Sequence, residues 1–304
     1  MRQKFLTEID RIYLYLKRQA RPSGSVWSGR LDRLLTLRSR YLKYTFSKKF
    51  FPNREIKVKT FWGAPIKCVL PDHANLFLYG LFLDHAEIRL MKFLIKNLKP
   101  EGIFFDAGAN IGFYTLLASN FIEPGKGSIH AFEPTPAIFE FLKVNCAGLS
   151  NVQINNVALS DQDGVAELAL YSGESWKNSI VTSVPGTARV TVRTTTLDQY
   201  SLKNNVFTTF VKIDVEGAED GVIQGSREIL RRGSPTISLE IFPGEKMAQP
   251  YTGAMHALLR MGYEPYMINE AGDLEQISRE HLENIEPLPL INYINLIFQK
   301  RKAP

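Results

Sequence analysis

From residue 102 onward the chain repeats one unit: a short apolar run, a turn at its end, then a stretch with helical spacing. Ile103-Phe104-Phe105 leads into Gly108 and Gly112 and a helical stretch to Phe121. Ser128 to Phe132 leads into a helix from Pro136 to Asn145, and Val152 to Leu159 predicts a third strand. Val165 to Tyr171 alternates and predicts a strand of its own. Thr209 to Ile213 is a buried-type strand before a helix to Arg232, and Thr236 to Ile241 precedes a helix over 252–261. Strands 263–268 and 291–298 close the pattern, with no helix predicted between them. Strands that alternate with helices pair in parallel, because each crossover brings the chain back in the same direction. The expected fold is therefore α/β: a doubly wound, mostly parallel sheet with an antiparallel edge strand.

The first 54 residues differ in kind. Phe5, Ile9, Ile12, Tyr13 and Leu16 recur at helical spacing over 5–19. Arg21-Pro22-Ser23-Gly24-Ser25 reads as a linker, and Leu31, Leu34, Leu35, Leu37 and Leu42 mark a second basic helical stretch. Residues 1–54 hold 14 Lys+Arg against 3 Asp+Glu, whereas the rest of the chain holds 23 against 28. The whole-chain charge of +6 thus comes from a basic helical N-terminal extension, residues 1–54. A mildly acidic body, residues 55–304 with a ligand-binding core over 100–242, disfavours nucleic acid as a partner. It leaves peripheral contact of the basic segment with a membrane open. Between them, Val58, Phe61, Trp62 and Ile66 around Gly63 suggest a hairpin, and residues 85–98 a helix.

Cys68 and Cys146 lie far apart without a CxxC, which argues against a disulfide framework and a structural zinc site. Glu8, Asp10 and Arg11 stand where a signal peptide needs its apolar stretch, so the expected location is cytoplasmic.

Ligands of open α/β sheets bind beyond the carboxyl ends of the strands, where the strand order reverses. The first strand ends in Asp106-Ala107-Gly108-Ala109-Asn110-Ile111-Gly112. A dinucleotide cradle would need Gly at 110 and 113, where Asn110 and Phe113 stand. A carboxylate at Asp106 would repel a pyrophosphate but suits a cationic amine. S-adenosylmethionine fits that requirement. Glu133, ending the second strand 25 residues after Gly108, can accept both ribose hydroxyls. Its alternative role is a helix N-terminal charge near Thr135. At the end of the third strand, backbone at Ala158 or Leu159, with Ser160 or Asp161, can meet an adenine edge; Asp161 to Gly164 equally suits a polar turn.

The blocks FDAGANIGFYTLLAS, HAFEPTPAIFEFLKVN, NNVALSDQDG and FVKIDVEGAEDGVIQG, in this order, resemble the FkbM family of S-adenosylmethionine-dependent methyltransferases. The resemblance runs from about Phe61 to Ile241. It implies the class I methyltransferase (Rossmann-like) fold. It also implies methyl transfer, mostly to a hydroxyl oxygen of sugars, glycolipids or secondary metabolites. Carried over by position, Asp106, Gly108, Asn110 and Gly112 form the methionine-side loop and Glu133 holds the ribose.

A hydroxyl is a weak nucleophile, so a general base or a metal assists its methylation. The fourth strand ends in Lys212-Ile213-Asp214-Val215-Glu216, and alternation puts Lys212, Asp214 and Glu216 on one side. Asp214 and Glu216 are candidate catalytic carboxylates; Lys212 is their partner or itself the base. Glu219 and Asp220 read as complements to a helix N-terminus. Glu240 could complete an oxygen-only cluster with Asp214 and Glu216, but carboxylates alone do not assign a metal site. His130 reads as a strand residue; His73 and His85, before the glycine loop, suit either a place near the acceptor pocket or, the favoured reading, the surface. Trp176, within the polar segment Ser172–Thr196, suits either a sugar face or packing.

Two other functions fit the sequence less well. A base methylase tends to carry [DNS]PP[YF] where IDVEG stands, and a cytosine-C5 enzyme needs Pro-Cys, which neither cysteine provides. A non-catalytic module that only binds the cofactor would have no need of Asp214 and Glu216.

Overall fold

The computed structural model describes residues 1–19, 39–46, 49, 54–170, 188–242, 249–283 and 293–300. The linker at 21–25, the leucines from 31 to 37 and Trp176 lie outside the described residues. The chain forms two compact units, Met1–Ile88 and Arg89–Pro304.

In the first unit, the helix Arg2–Gln19 buries Phe5, Ile9 and Tyr13, the stripe that helical spacing picked out. Phe5 packs against the rings of Phe61 and Trp62, and the Tyr13 hydroxyl meets His85 Nδ1 at 2.6 Å. The expected hairpin is present: β1 (Arg54–Lys59) pairs antiparallel with β2 (Pro65–Leu70) across a turn in which Gly63 has φ 96°. His73 is buried rather than superficial, its ring against the Val69 carbonyl at 3.1 Å. Residues 39–46 are helical.

The second unit is built on an eight-stranded sheet. Its strands in chain order are β3 (Ile103–Ala107), β4 (Ser128–Phe132), β5 (Val152–Asn155), β9 (Phe210–Ile213), β10 (Thr236–Ile241), β11 (Tyr263–Ile268), β12 (Leu274–Gln276) and β13 (Ile294–Lys300). Their spatial order is β12-β11-β13-β10-β9-β3-β4-β5. The five from β5 to β10 are parallel; β13 runs antiparallel between β10 and β11, and β12 closes the edge antiparallel to β11. This is the class I methyltransferase architecture. The antiparallel character is thus spread over β13 and β12. A short helix, Arg279–Glu283, also separates the last two strands, where none was predicted. The order reverses between β3 and β9, which fixes where a ligand can enter. Phe105, Phe132, Val211, Leu239 and Phe298 from five neighbouring strands fill the core.

Two departures from the sequence reading shape the site. The predicted third strand, 152–159, is two strands. Asn156 turns its amide onto the carbonyls of Glu133 and Pro134 (2.8 and 3.0 Å), and the chain leaves the main sheet. Ala158–Leu159, β6, then joins β8 (Ala188–Thr195) in a separate sheet ordered β6-β8-β7, with β7 at Gly164–Leu170. The helix predicted to Arg232 is also two, Glu219–Gln224 and Arg227–Arg232. Asp198 caps the second by accepting from the N–H groups of Glu228 and Ile229, both at 2.9 Å.

Candidate active site

The loop after β3 is stitched to the end of β4. The Phe132 carbonyl accepts from the N–H groups of Gly108 (3.1 Å) and Ala109 (2.9 Å). Glu133 continues the seam: its Oε2 accepts from Asn110 N at 3.0 Å and its Oε1 from Thr135 N at 2.8 Å. Asn110 holds φ 51°, and its own Oδ1 accepts from Ile111 N at 2.7 Å, which stabilises that left-handed residue. Glu133 is 6 % exposed, and burial pushes its carboxyl up to about 7 despite these donors.

Gly108 belongs to the loop that the resemblance assigns to the methionine side of the cofactor. Its space is taken by protein: at φ +75°, a Cβ there would lie 1.8 Å from the Asp214 carbonyl oxygen. The glycine therefore lets the β3 loop touch the end of β9. Gly112 likewise serves packing, since a Cβ would meet Leu142 Cδ1 at 2.7 Å. Neither Gly112 nor Asp106 is among the residues that line the cleft described below. Asp106 is fully buried; its Oδ2 accepts from Thr115 Oγ1 at 2.7 Å, while Oδ1 is buried without a hydrogen-bond donor. Burial raises its pKa, against the nearby Lys212 ammonium.

Strand register explains that proximity, because Asp106 and Lys212 are direct neighbours across β3 and β9. Lys212 Nζ lies 3.9 Å from Asp106 Oδ1, 2.8 Å from Asp214 Oδ2 and 5.1 Å from the Tyr114 ring centre. It is 2 % exposed and stands outside the cleft lining, so it reaches the cleft through Asp214. Beyond Asp214 the chain turns sharply at Glu216 (φ 54°) and Gly217 (φ 97°). Glu219 braces that turn: its Oε1 accepts from the N–H groups of Val215 and Gly217, both at 3.2 Å. At 1 % exposure it is a buried strut, not the exposed helix-end charge that its sequence position suggests. Only the folded turn reveals this role. Asp220, partly exposed, keeps the helix-end reading.

One cleft, partly open to solvent, joins these elements. Gly108, Asn110, Glu133, Asp214 and Glu216 all line it. Ala158 and Leu159 line it through β6, with Phe132, Val157 and Leu168 as further apolar wall. Asp161 is exposed and outside the lining, its Oδ1 accepting from Ser160 Oγ at 3.1 Å. The apolar wall was missed in the sequence, since it draws Leu168 from a strand whose place could not be foreseen. The donor set fits S-adenosylmethionine: a carboxylate for vicinal hydroxyls, an apolar wall for a base, and acidic groups toward a cationic centre. Asp214, Glu216 and Glu240 also bring one carboxylate oxygen each within 4.8 Å of one another, a spacing that could hold a divalent ion. Both cysteines are buried and free, with thiols pushed up to about 12, and take no part.

Residues 106–265 match the family described as "Methyltransferase FkbM domain", a span that begins after the start of the sequence resemblance and runs past its end at Ile241 to Pro265 in β11. The chain is similar to 31-O-demethyl-FK506 methyltransferase FkbM of Streptomyces tacrolimicus, with 32 % identity over 114 residues. That match spans 36 % of this chain and only 40 % of that protein. Among solved structures, methyltransferase FkbM from Methylobacillus flagellatus KT is similar at 14 % identity and a TM-score of 0.42, over 65 % of this chain and 43 % of that one. Aeropyrum pernix fibrillarin in complex with natively bound S-adenosyl-L-methionine is similar at 12 % identity and a TM-score of 0.40, over 66 % and 67 %.

Proposed function

The chain belongs to the FkbM family of methyltransferases, and from that premise we propose that it methylates a hydroxyl oxygen of a sugar, glycolipid or secondary-metabolite acceptor. S-adenosylmethionine is the methyl donor, and when bound it supplies an electrophilic methyl carbon on a sulfonium. The observation that carries the reading is that Glu133, Asp214 and Glu216 line the same cleft.

In this reading Glu133 binds the ribose hydroxyls. Its oxygens already accept two backbone N–H bonds, but a carboxylate has lone pairs enough for two more donors. Backbone at Ala158 and Leu159 meets the base between apolar side chains, and the Asp106 carboxylate sets a negative charge behind the loop at Asn110. Asp214 orients the acceptor hydroxyl and takes its proton at a carboxylate oxygen. Lys212 positions Asp214 by holding its Oδ2 at 2.8 Å. Glu216 lies beside the same opening and completes the acceptor's polar contacts. Holding the acceptor oxygen in line with the methyl supplies much of the rate. The same reading keeps the protein in the cytoplasm, with the basic segment 1–54 available to a membrane surface.

Turnover of methyl-labelled S-adenosylmethionine with hydroxylated acceptors tests the reading. Label should appear as an acid- and base-stable ether on the acceptor. Label transferred to nucleic acid instead, or bound cofactor with no transfer to any hydroxylated acceptor, would overturn it.

A further inference from the structure

Three large apolar side chains stand exposed within six consecutive residues of the first unit: Tyr41 (60 %), Leu42 (68 %) and Phe46 (58 %). They belong to the helical residues 39–46. At 100° per residue they fall on one face, an arc of about 140°. The opposite side carries a described contact with the rest of the unit: Arg40 donates to the Leu78 carbonyl at 3.1 Å, and Tyr44 is half-buried. The helix thus leaves most of the surface of three large apolar side chains exposed. Ordinary surface helices do the reverse.

Charge selects what can cover such a face. Residues 38–54 hold six Lys+Arg (Arg38, Arg40, Lys43, Lys48, Lys49 and Arg54) and no Asp or Glu. An apolar arc with tyrosines near its margin, in a sequence stretch whose charges are all cationic, matches the boundary of a bilayer with anionic headgroups. We propose that the Tyr41–Leu42–Phe46 face docks on an anionic phospholipid surface, the three side chains entering the headgroup–acyl boundary and the surrounding Lys and Arg pairing with headgroups. This deepens the membrane contact of the functional reading and rests on it for nothing else; no residue of the cleft is involved.

The test uses the full chain and lipid vesicles, with no turnover assay, so it fails or succeeds independently of methyl transfer. Wild type should co-sediment with vesicles of phosphatidylcholine containing one third phosphatidylserine, and not with phosphatidylcholine alone. Binding should weaken steeply as salt rises. Leu42→Ser/Phe46→Ser should lower partitioning roughly tenfold or more through lost apolar contact. Lys43→Glu should lower it more modestly and flatten the salt dependence. Circular dichroism checks that each variant is folded; should the double variant unfold, Lys43→Glu and the wild-type salt series decide alone. Absence of wild-type binding to the anionic vesicles at low salt would overturn the proposal. So would undiminished binding of folded Leu42→Ser/Phe46→Ser. Self-association in sedimentation velocity that the double variant abolishes, with no vesicle binding, would assign the face to a second copy of the chain instead.

Discussion

Glu133 at the end of β4 and Asp214 at the end of β9 face the same cleft from different surroundings. Glu133 is 6 % exposed and held at both oxygens by backbone N–H groups of its own loop and the neighbouring one. The Asp214 side chain is 25 % exposed, and a lysine side chain holds one of its oxygens. Backbone donors cannot be exchanged by side-chain substitution, so the β4 end is committed to one ligand geometry. The β9 end is more open and depends on side chains, Lys212 below and Glu219 beneath the turn. On the proposed reading, the contrast suits a fixed seat for the methyl donor and a more open one for the acceptor. Predictions that separate the two ends test this division directly.

The largest effect is expected at the open end. Asp214→Asn keeps shape and removes the proton acceptor, so turnover should fall about 10²–10⁴-fold with cofactor affinity nearly unchanged. Lys212→Met should show the same split through misplacement of Asp214. Should the cluster of Asp214, Glu216 and Glu240 hold an ion, a chelator would abolish turnover and magnesium restore it. Equal loss of affinity and turnover in Asp214→Asn, measured by calorimetry beside kinetics, would erase the division between the two ends.

Gly108→Ala should breach the division from the middle. A methyl group there would lie 1.8 Å from the Asp214 carbonyl oxygen, and its φ of +75° already disfavours any side chain. The backbones of the β3 loop and the β9 end must then separate, at about 2–4 kcal/mol of stability. Both affinity and turnover should fall together, unlike in any carboxylate variant. A melting curve equal to wild type would show that the two loops are not in contact.

The two ends also differ in how far the sequence exposes them. β3, β4, β9 and β10 are apolar runs that end in turns, so Glu133 and Asp214 could be placed at strand ends from spacing alone. β8 escaped because its run of Ala188–Thr195 is largely exposed; only Val192 and Thr194 are buried. The break between β5 and β6 escaped because it depends on where the Asn156 side chain bonds, which no periodicity encodes. Glu219 was misread for a related reason. An acid in the first turn of a helix ordinarily complements the dipole. That this one folds back under residues 215–217 is a property of the turn's tertiary shape. Gly108 and Gly112 show the same limit: the sequence marks a tight backbone, but not which neighbour crowds it.

A smaller effect is expected at the committed end. Glu133→Ala removes hydrogen bonds to a charged acceptor, which should weaken S-adenosylmethionine by about 1.5–3 kcal/mol, roughly 10–150-fold. Turnover at saturating cofactor should change far less. Unchanged affinity in a folded variant, measured by calorimetry, would detach Glu133 from the ribose and leave it as a loop staple.

The smallest effect comes from protons and carries a sign that tells the ends apart. Burial raises the Glu133 carboxyl from 4.5 to about 7, with the buried Asp106 charge adding to the rise. The folded apo-protein therefore holds a proton at Glu133 that the unfolded chain has released between those values. That contribution to stability is complete below pH 4.5 and is lost as pH rises through 7. Ligand binding should run the other way, because accepting two hydroxyls requires the ionised form. Cofactor affinity should then be about tenfold weaker at pH 6 than at pH 8, the response of a single proton displaced on binding. Glu133→Gln cannot ionise, so its weaker affinity should be flat over the same range. Calorimetry at the two pH values, on wild type and Glu133→Gln, reads this directly. A wild-type affinity that does not change with pH would mean that Glu133 is already ionised before the ligand arrives. The β4 end would then be held by charge as the β9 end is, and the contrast between them would reduce to exposure.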